Sequence, residues 1–135
     1  MATLKLEIVT PEAVTWSGQV DMVTLPGVEG EMGIYPMHIP LMTQIVPGEI
    51  CVRKDGRDEW LAVGEGFVEV TGDRVSILTD MAVKANNVDE AAVIEARKRA
   101  EARLLEKVSA EEEAALRASL ANTAVQLKVR QRQRK

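Results

Sequence analysis

What is scarce in this 135-residue chain excludes much of protein chemistry. A single cysteine, Cys51, rules out an internal disulfide framework and any multi-cysteine zinc site. A single histidine, His38, removes most catalytic and metal-binding constellations, so no metal and no cofactor are expected. Aromatics make up only 3% of the residues, and no apolar run approaches the ~20 residues of a membrane span. The start, Met1-Ala2-Thr3-Leu4-Lys5, has no basic head followed by an apolar stretch, and no secretory signal is expected. No nucleophile, base and orienting group can be assembled from what is left, so an enzyme is disfavoured.

What is present divides at Asn86. Residues 1–86 carry 6 basic and 13 acidic side chains and residues 87–135 carry 11 and 8, leaving halves of −7 and +3 within a net charge of −4. All 9 glycines, all 5 prolines and the aromatics Trp16, Tyr35, Trp60 and Phe67 lie in the first part. A β-type domain over 1–86 and a helical one over 87–135 are therefore expected.

In the first part, short runs alternate with a period of two between turn signals, as half-buried antiparallel strands do. Leu4, Leu6 and Ile8 oppose Lys5 and Glu7, and Asp55-Gly56 between two such runs predicts a tight hairpin. About nine strands result, which suggests a sandwich or flattened barrel. From Asn87 the period becomes helical: Val93, Ala96, Ala100 and Leu104 share a stripe, predicting a first helix over about Val88 to Lys107. Ser109-Ala110-Glu111-Glu112 has capping-box spacing and predicts the start of a second helix, antiparallel to the first. That helix has one stripe of Leu116, Leu120, Ala124 and Leu127 and another of Ala114, Ala118, Ala121, Val125 and Val129. One stripe faces the first helix, and the other lies on the sandwich or serves an exchangeable partner.

Candidate sites are few. Gly27, Gly30 and Gly33 lie among strands with Glu29 and Glu31 beside them, which suits tight turns presenting carboxylates to a protein rather than a phosphate loop. Tyr35-Pro36-Met37-His38-Ile39-Pro40 is too rigid for a mere linker, and its histidine reads as hydrogen-bonded or at an interface rather than as a metal ligand. Cys51, with no base beside it, reads as a packed thiol. Lys128, Arg130, Arg132, Arg134 and Lys135 crowd the last eight residues, and Arg97-Lys98-Arg99 adds a second cluster. With no interleaved aromatics these cations suit an acidic protein rather than nucleic acid.

In this order and over nearly the whole chain, Val9-Thr10-Pro11-Glu12, the Gly27–Leu41 segment, Pro47-Gly48, Gly64–Val70, Val75–Asp80 and Val88–Ala91 resemble the epsilon subunits of bacterial F-type ATP synthases, the delta subunits of mitochondrial complexes. The resemblance implies a ten-stranded β-sandwich followed by an antiparallel two-helix hairpin. It implies a non-catalytic central-stalk subunit that binds the gamma subunit and sits on the c-ring, peripheral at the cytoplasmic face of the bacterial plasma membrane. Glu29 and Glu31 would then face the c-ring, with Tyr35 and His38 near gamma. The helices would rise toward the alpha and beta subunits to restrain ATP hydrolysis, using Leu116, Leu120, Leu127, Arg130, Arg132 and Arg134. Met37 stands where many relatives carry Gly or Asn, which implies a locally different loop. Of the ATP-binding motif found in some relatives only Asp89 is present, and Ala92 replaces its arginine, so weak or absent ATP binding is expected. The alternative is a free-standing β-sandwich adaptor whose basic helices bind an acidic protein.

Overall fold

The computed structural model describes residues 3–133. Ten strands come first: β1 (Leu4–Val9), β2 (Val14–Val20), β3 (Met22–Gly27), β4 (Gly30–Ile34), β5 (His38–Ile45), β6 (Gly48–Lys54), β7 (Arg57–Val63), β8 (Gly66–Gly72), β9 (Arg74–Thr79) and β10 (Ala82–Lys84). A 3-10 turn at Ala85–Asn87 leads to α1 (Glu90–Leu104) and α2 (Ala110–Gln133). The tenth strand, one more than the alternation predicts, is three-residue β10, too short for a period of two to register.

The strands pair in the order β10-β7-β6-β3-β5-β8-β9-β1-β2, with β4 on the other side of β3. Between β3 and β5 the ladder shrinks to the pair Gly27↔Ile45, flanked by the Val28 amide on the Gln44 carbonyl and the Val46 amide on the Pro26 carbonyl. That seam lets the sheet fold into two five-stranded layers, β4-β3-β6-β7-β10 and β5-β8-β9-β1-β2. Each strand turns its alternate apolar residues inward: Leu4, Leu6, Ile8, Leu25, Ile50, Leu61 and Ile77 are fully buried in one core. Each such side chain stabilises the fold by about 1.5–3 kcal/mol through burial. The Asp55-Gly56 turn has φ of 54° and 77°, the double left-handed geometry whose twist suits a two-residue hairpin.

The helices begin and end where caps dictate. Asp89 accepts a hydrogen bond from the Ala92 amide at 3.1 Å, so α1 starts at Glu90 rather than Val88. The Leu105 amide bonds back to the Ala102 carbonyl at 3.2 Å, and this tightened turn ends α1 before Lys107. Ser109 Oγ accepts from the Glu112 amide at 3.1 Å, but the Glu112 carboxylate goes to Arg103 Nε at 2.6 Å, so the carboxylate is spent on the neighbouring helix. Pairing of Arg103 with Glu112 at one end and of Arg130 with Glu90 at the other makes the helices antiparallel.

The second-helix stripes differ from the expectation. Leu116, Leu120 and Leu127 are half-buried on the stripe bounded by Glu112 and Arg130, whose partners lie in α1, and Thr123 rather than Ala124 is the buried member. On the other stripe only Val125 and Val129 are covered, against Trp60, Ala62, Met81 and Ala85, while Ala114, Ala118 and Ala121 are exposed. The sandwich reaches only the C-terminal half of α2. No helix among the described residues is long and apolar enough to cross a membrane.

Candidate docking surfaces

The two outer faces of the sandwich are treated differently. α2 lies over β7 and β6 and covers the first layer. Its end is fastened by Glu49, whose half-buried carboxylate accepts from Arg132 Nε at 2.6 Å and Nη2 at 3.2 Å and pairs with Lys128 Nζ at 3.2 Å. The Arg132 guanidinium also stacks 4.4 Å from the centre of the Trp60 ring. Burial alone would raise the Glu49 pKa, but the hydrogen bonds and charges of Arg132 and Lys128 outweigh it and hold the carboxyl below its ordinary value. Beside this clasp, burial first and Asp58 second push the Cys51 thiol up to about 11, so it is a packed thiol at neutral pH.

Among the described residues nothing covers the second layer in the same way. Register aligns Phe67 with Leu78, Leu78 with Val9 and Val9 with Val14, a row of apolar side chains crossing β8, β9, β1 and β2. Phe67 and Leu78 are each 57% exposed and Val14 55%, with Met42 on neighbouring β5 at 68%. A shallow groove of about 490 Å³ beside the row is lined by Val9, Thr10, Pro11, Gly66 and Leu78 and rimmed by Glu65 and Asp80. A contiguous exposed apolar band on a folded domain marks an interaction surface. The sequence reading missed it, although its signal is visible: Phe67 beside buried Val68, and Leu78 beside buried Ile77, put apolar residues where alternation calls for polar ones.

The four loop candidates do not form one cluster. Glu29 and Glu31 are exposed at the β3–β4 tip, where Gly27 pairs with Gly30 and a side chain at Gly27 would strike the Gly30 carbonyl. Tyr35 and His38 lie beyond the other end of β4, and four extended residues separate Tyr35 from Glu31 by about 13 Å. Tyr35 is 60% exposed. His38 pairs with Gly72 ahead of an irregularity in β5, and its Nδ1 lies 2.6 Å from the Ile39 carbonyl, so Nδ1 carries the proton and donates. Met37 between them has φ of 69°, the left-handed conformation that Gly and Asn adopt readily. Met37 holds this backbone at a cost of about 1 kcal/mol.

Of the candidates in the helices, Leu116, Leu120 and Leu127 are turned to α1, Arg130 pairs with Glu90 at 3.6 Å, and Arg132 is held by Glu49. Asp89 caps α1. Arg134 lies outside the described residues.

A folded β-sandwich with an exposed apolar row on one outer face and a helical hairpin clasped over the other has the build of a docking subunit. Residues 3–85 match the family model described as ATP synthase, Delta/Epsilon chain, beta-sandwich domain. The ATP synthase epsilon chain of Dehalococcoides mccartyi is 46% identical over 140 residues, covering 100% of this chain and 97% of that one. That of Halorhodospira halophila is 38% identical over 137 residues, with 100% and 97% covered. A chain in the structure of the Euglena gracilis mitochondrial ATP synthase, OSCP/F1/c-ring in rotational state 1, shares the fold with a TM-score of 0.77 at 22% identity, covering 95% of this chain and 81% of that one. The chain belongs to the delta/epsilon family of ATP synthase subunits.

Proposed function

We propose that this chain, an epsilon-type subunit of the F-type ATP synthase rotor, is anchored by its bare sandwich face and uses its helices as a releasable restraint on ATP hydrolysis. The observation that carries the reading is the contrast in fastening: α2 rests on the sandwich through Val125 and Val129, and its end is held by ion pairs to Glu49. Carboxylates of another protein can replace Glu49 at little net cost. In this reading the subunit carries no reaction of its own and couples proton flow to ATP synthesis as part of the rotor. The Phe67–Leu78–Val9–Val14 row seats the gamma subunit, Tyr35 and His38 contact it at the end of the same layer, and Glu29 and Glu31 face the c-ring. The released helices offer Leu116, Leu120, Leu127, Arg130, Arg132 and Arg134 to the alpha and beta subunits.

The complex would hold the chain at the cytoplasmic face of the bacterial plasma membrane, without contact of its own with lipid. The start of α1 gives ATP a weak site or none, since the Asp89 carboxylate is engaged as a cap and Ala92 offers no cation. No particular observation favours the free-standing adaptor. The test is ATP hydrolysis by an F-type complex depleted of this subunit, after adding back the full chain or a chain ending at Asn87. Binding by both, with inhibition by the full chain alone, is the expected result. Equal hydrolysis with both overturns the restraint, and failure of both to bind overturns the anchor.

A further inference from the structure

We infer that the recess beside the β6–β7 hairpin binds a phosphate-bearing polyanion. The recess has a volume of about 420 Å³ and is lined by Trp16, Lys54, Arg57, Glu59, Trp60 and Lys84 among others. Its size is that of a small-molecule site. The inference is independent of the rotor reading, for it rests on charges the fold brings together without neutralising them.

Register places Lys54 directly opposite Arg57 across the two strands. Like charges opposed in this way destabilise an antiparallel pair. Among the described residues neither cation is in an ion pair, and nor is Lys84 on the adjoining strand. The two carboxylates beside them are already engaged: Asp58 is bound by Arg53 at 3.0 Å, and Glu59 accepts the Trp16 indole N–H at 2.7 Å. Three cations therefore meet at one recess with a single carboxylate, Glu59, outside an ion pair. A phosphate group offers the oxygens that a guanidinium and two ammonium groups bind best, and its charge removes the repulsion between Lys54 and Arg57. The recess is also walled by Trp16, whose indole is held by Glu59 and offers a flat surface to a ring carried on the phosphate.

The experiment is thermal melting of the full chain by circular dichroism, with sodium pyrophosphate or ADP added at constant ionic strength and sodium chloride as the control. Pyrophosphate is expected to raise Tm progressively with concentration, as a ligand of the folded state must, and to change tryptophan fluorescence saturably. A larger rise with ADP assigns a role to the Trp16 indole, and an equal rise confines recognition to the phosphates; either supports the site. The double variant Lys54→Thr/Arg57→Thr is expected to melt no lower than the parent without ligand, because the repulsion is gone, and to lose the ligand-dependent rise. Lys98→Thr, on the exposed face of α1, is expected to keep it. No rise beyond the chloride control, or a rise that survives in the double variant, overturns the proposal.

Discussion

The two outer faces of the sandwich belong to different layers of similarly alternating strands and have opposite fates. Over β6 and β7 the face is covered by the chain's own helix, with a small apolar contact at Val125 and Val129 and a polar clasp at Glu49. Over β8, β9, β1 and β2 an apolar row of Phe67, Leu78, Val9 and Val14 crosses one end of the face, and beside it lies a polar row of Glu69, Ser76, Glu7 and Ser17. An apolar row favours a partner that stays, because every Å² returned to water costs about 25 cal/mol. Ion pairs favour a partner that changes, because water, salt or another carboxylate can stand in for the one released. In the proposed function the durable chemistry serves the surface that anchors and the exchangeable chemistry the surface that switches.

The comparison can be broken at either face. The largest effect is expected at the bare one. Leu78→Asp should weaken binding to the depleted complex by roughly 100-fold, the scale of a central interface residue. Its folding stability should move by no more than about 0.5 kcal/mol, as a surface substitution does. Titration of binding against a denaturant curve separates the two, and equal loss in both would make Leu78 a folding residue.

Val129→Ala, on the covered face, should ease opening of α2 by about 1.5 kcal/mol, the burial of two carbon groups, while leaving assembly intact. Amide hydrogen exchange within α2 checks it. Glu49→Gln should loosen the same helix by about 1 kcal/mol, the upper end for an ion pair whose cations are exposed. It should also strengthen inhibition of hydrolysis, because only the clasped state loses a contact. A milder treatment with the same direction is acid. The Glu49 carboxyl lies below its ordinary value in the folded state, so its contribution is complete above that value and is lost as pH falls through the lowered one. Trp60 fluorescence should therefore report helix release on acidification in the parent and much less in Glu49→Gln. The smallest effect belongs to the corner loop: Met37→Asn should stabilise the chain by about 0.5 kcal/mol by relieving the left-handed strain, read as a higher denaturant midpoint.

How much of this was legible in the sequence follows from what each signal depends on. Alternation and turn chemistry are local, so β1, the Asp55-Gly56 hairpin and the Ser109 cap could be read directly. β10 escaped because three residues hold no period, and its place beside β7 is a long-range pairing. The α2 stripes were displaced for a related reason: Thr123 is buried through a bond to the Leu120 carbonyl, at 2.9 Å, that hydrophobicity does not register. Glu49 and Trp60 were invisible as a clasp, since Arg132 lies 83 positions away from Glu49 and only the fold brings them together. The bare row was written in the sequence as two lapses of alternation, but lapses become a surface only when register lines up Phe67, Leu78, Val9 and Val14.

The most direct test of the difference between the faces is hydroxyl-radical footprinting of the full chain, free and assembled into the F-type complex. The account predicts that Met42, Phe67 and Leu78 lose reactivity on assembly, while Trp60 keeps its reactivity or gains some as α2 lifts. Protection centred on Trp60 and α2, with Phe67 and Leu78 still reactive, would contradict it.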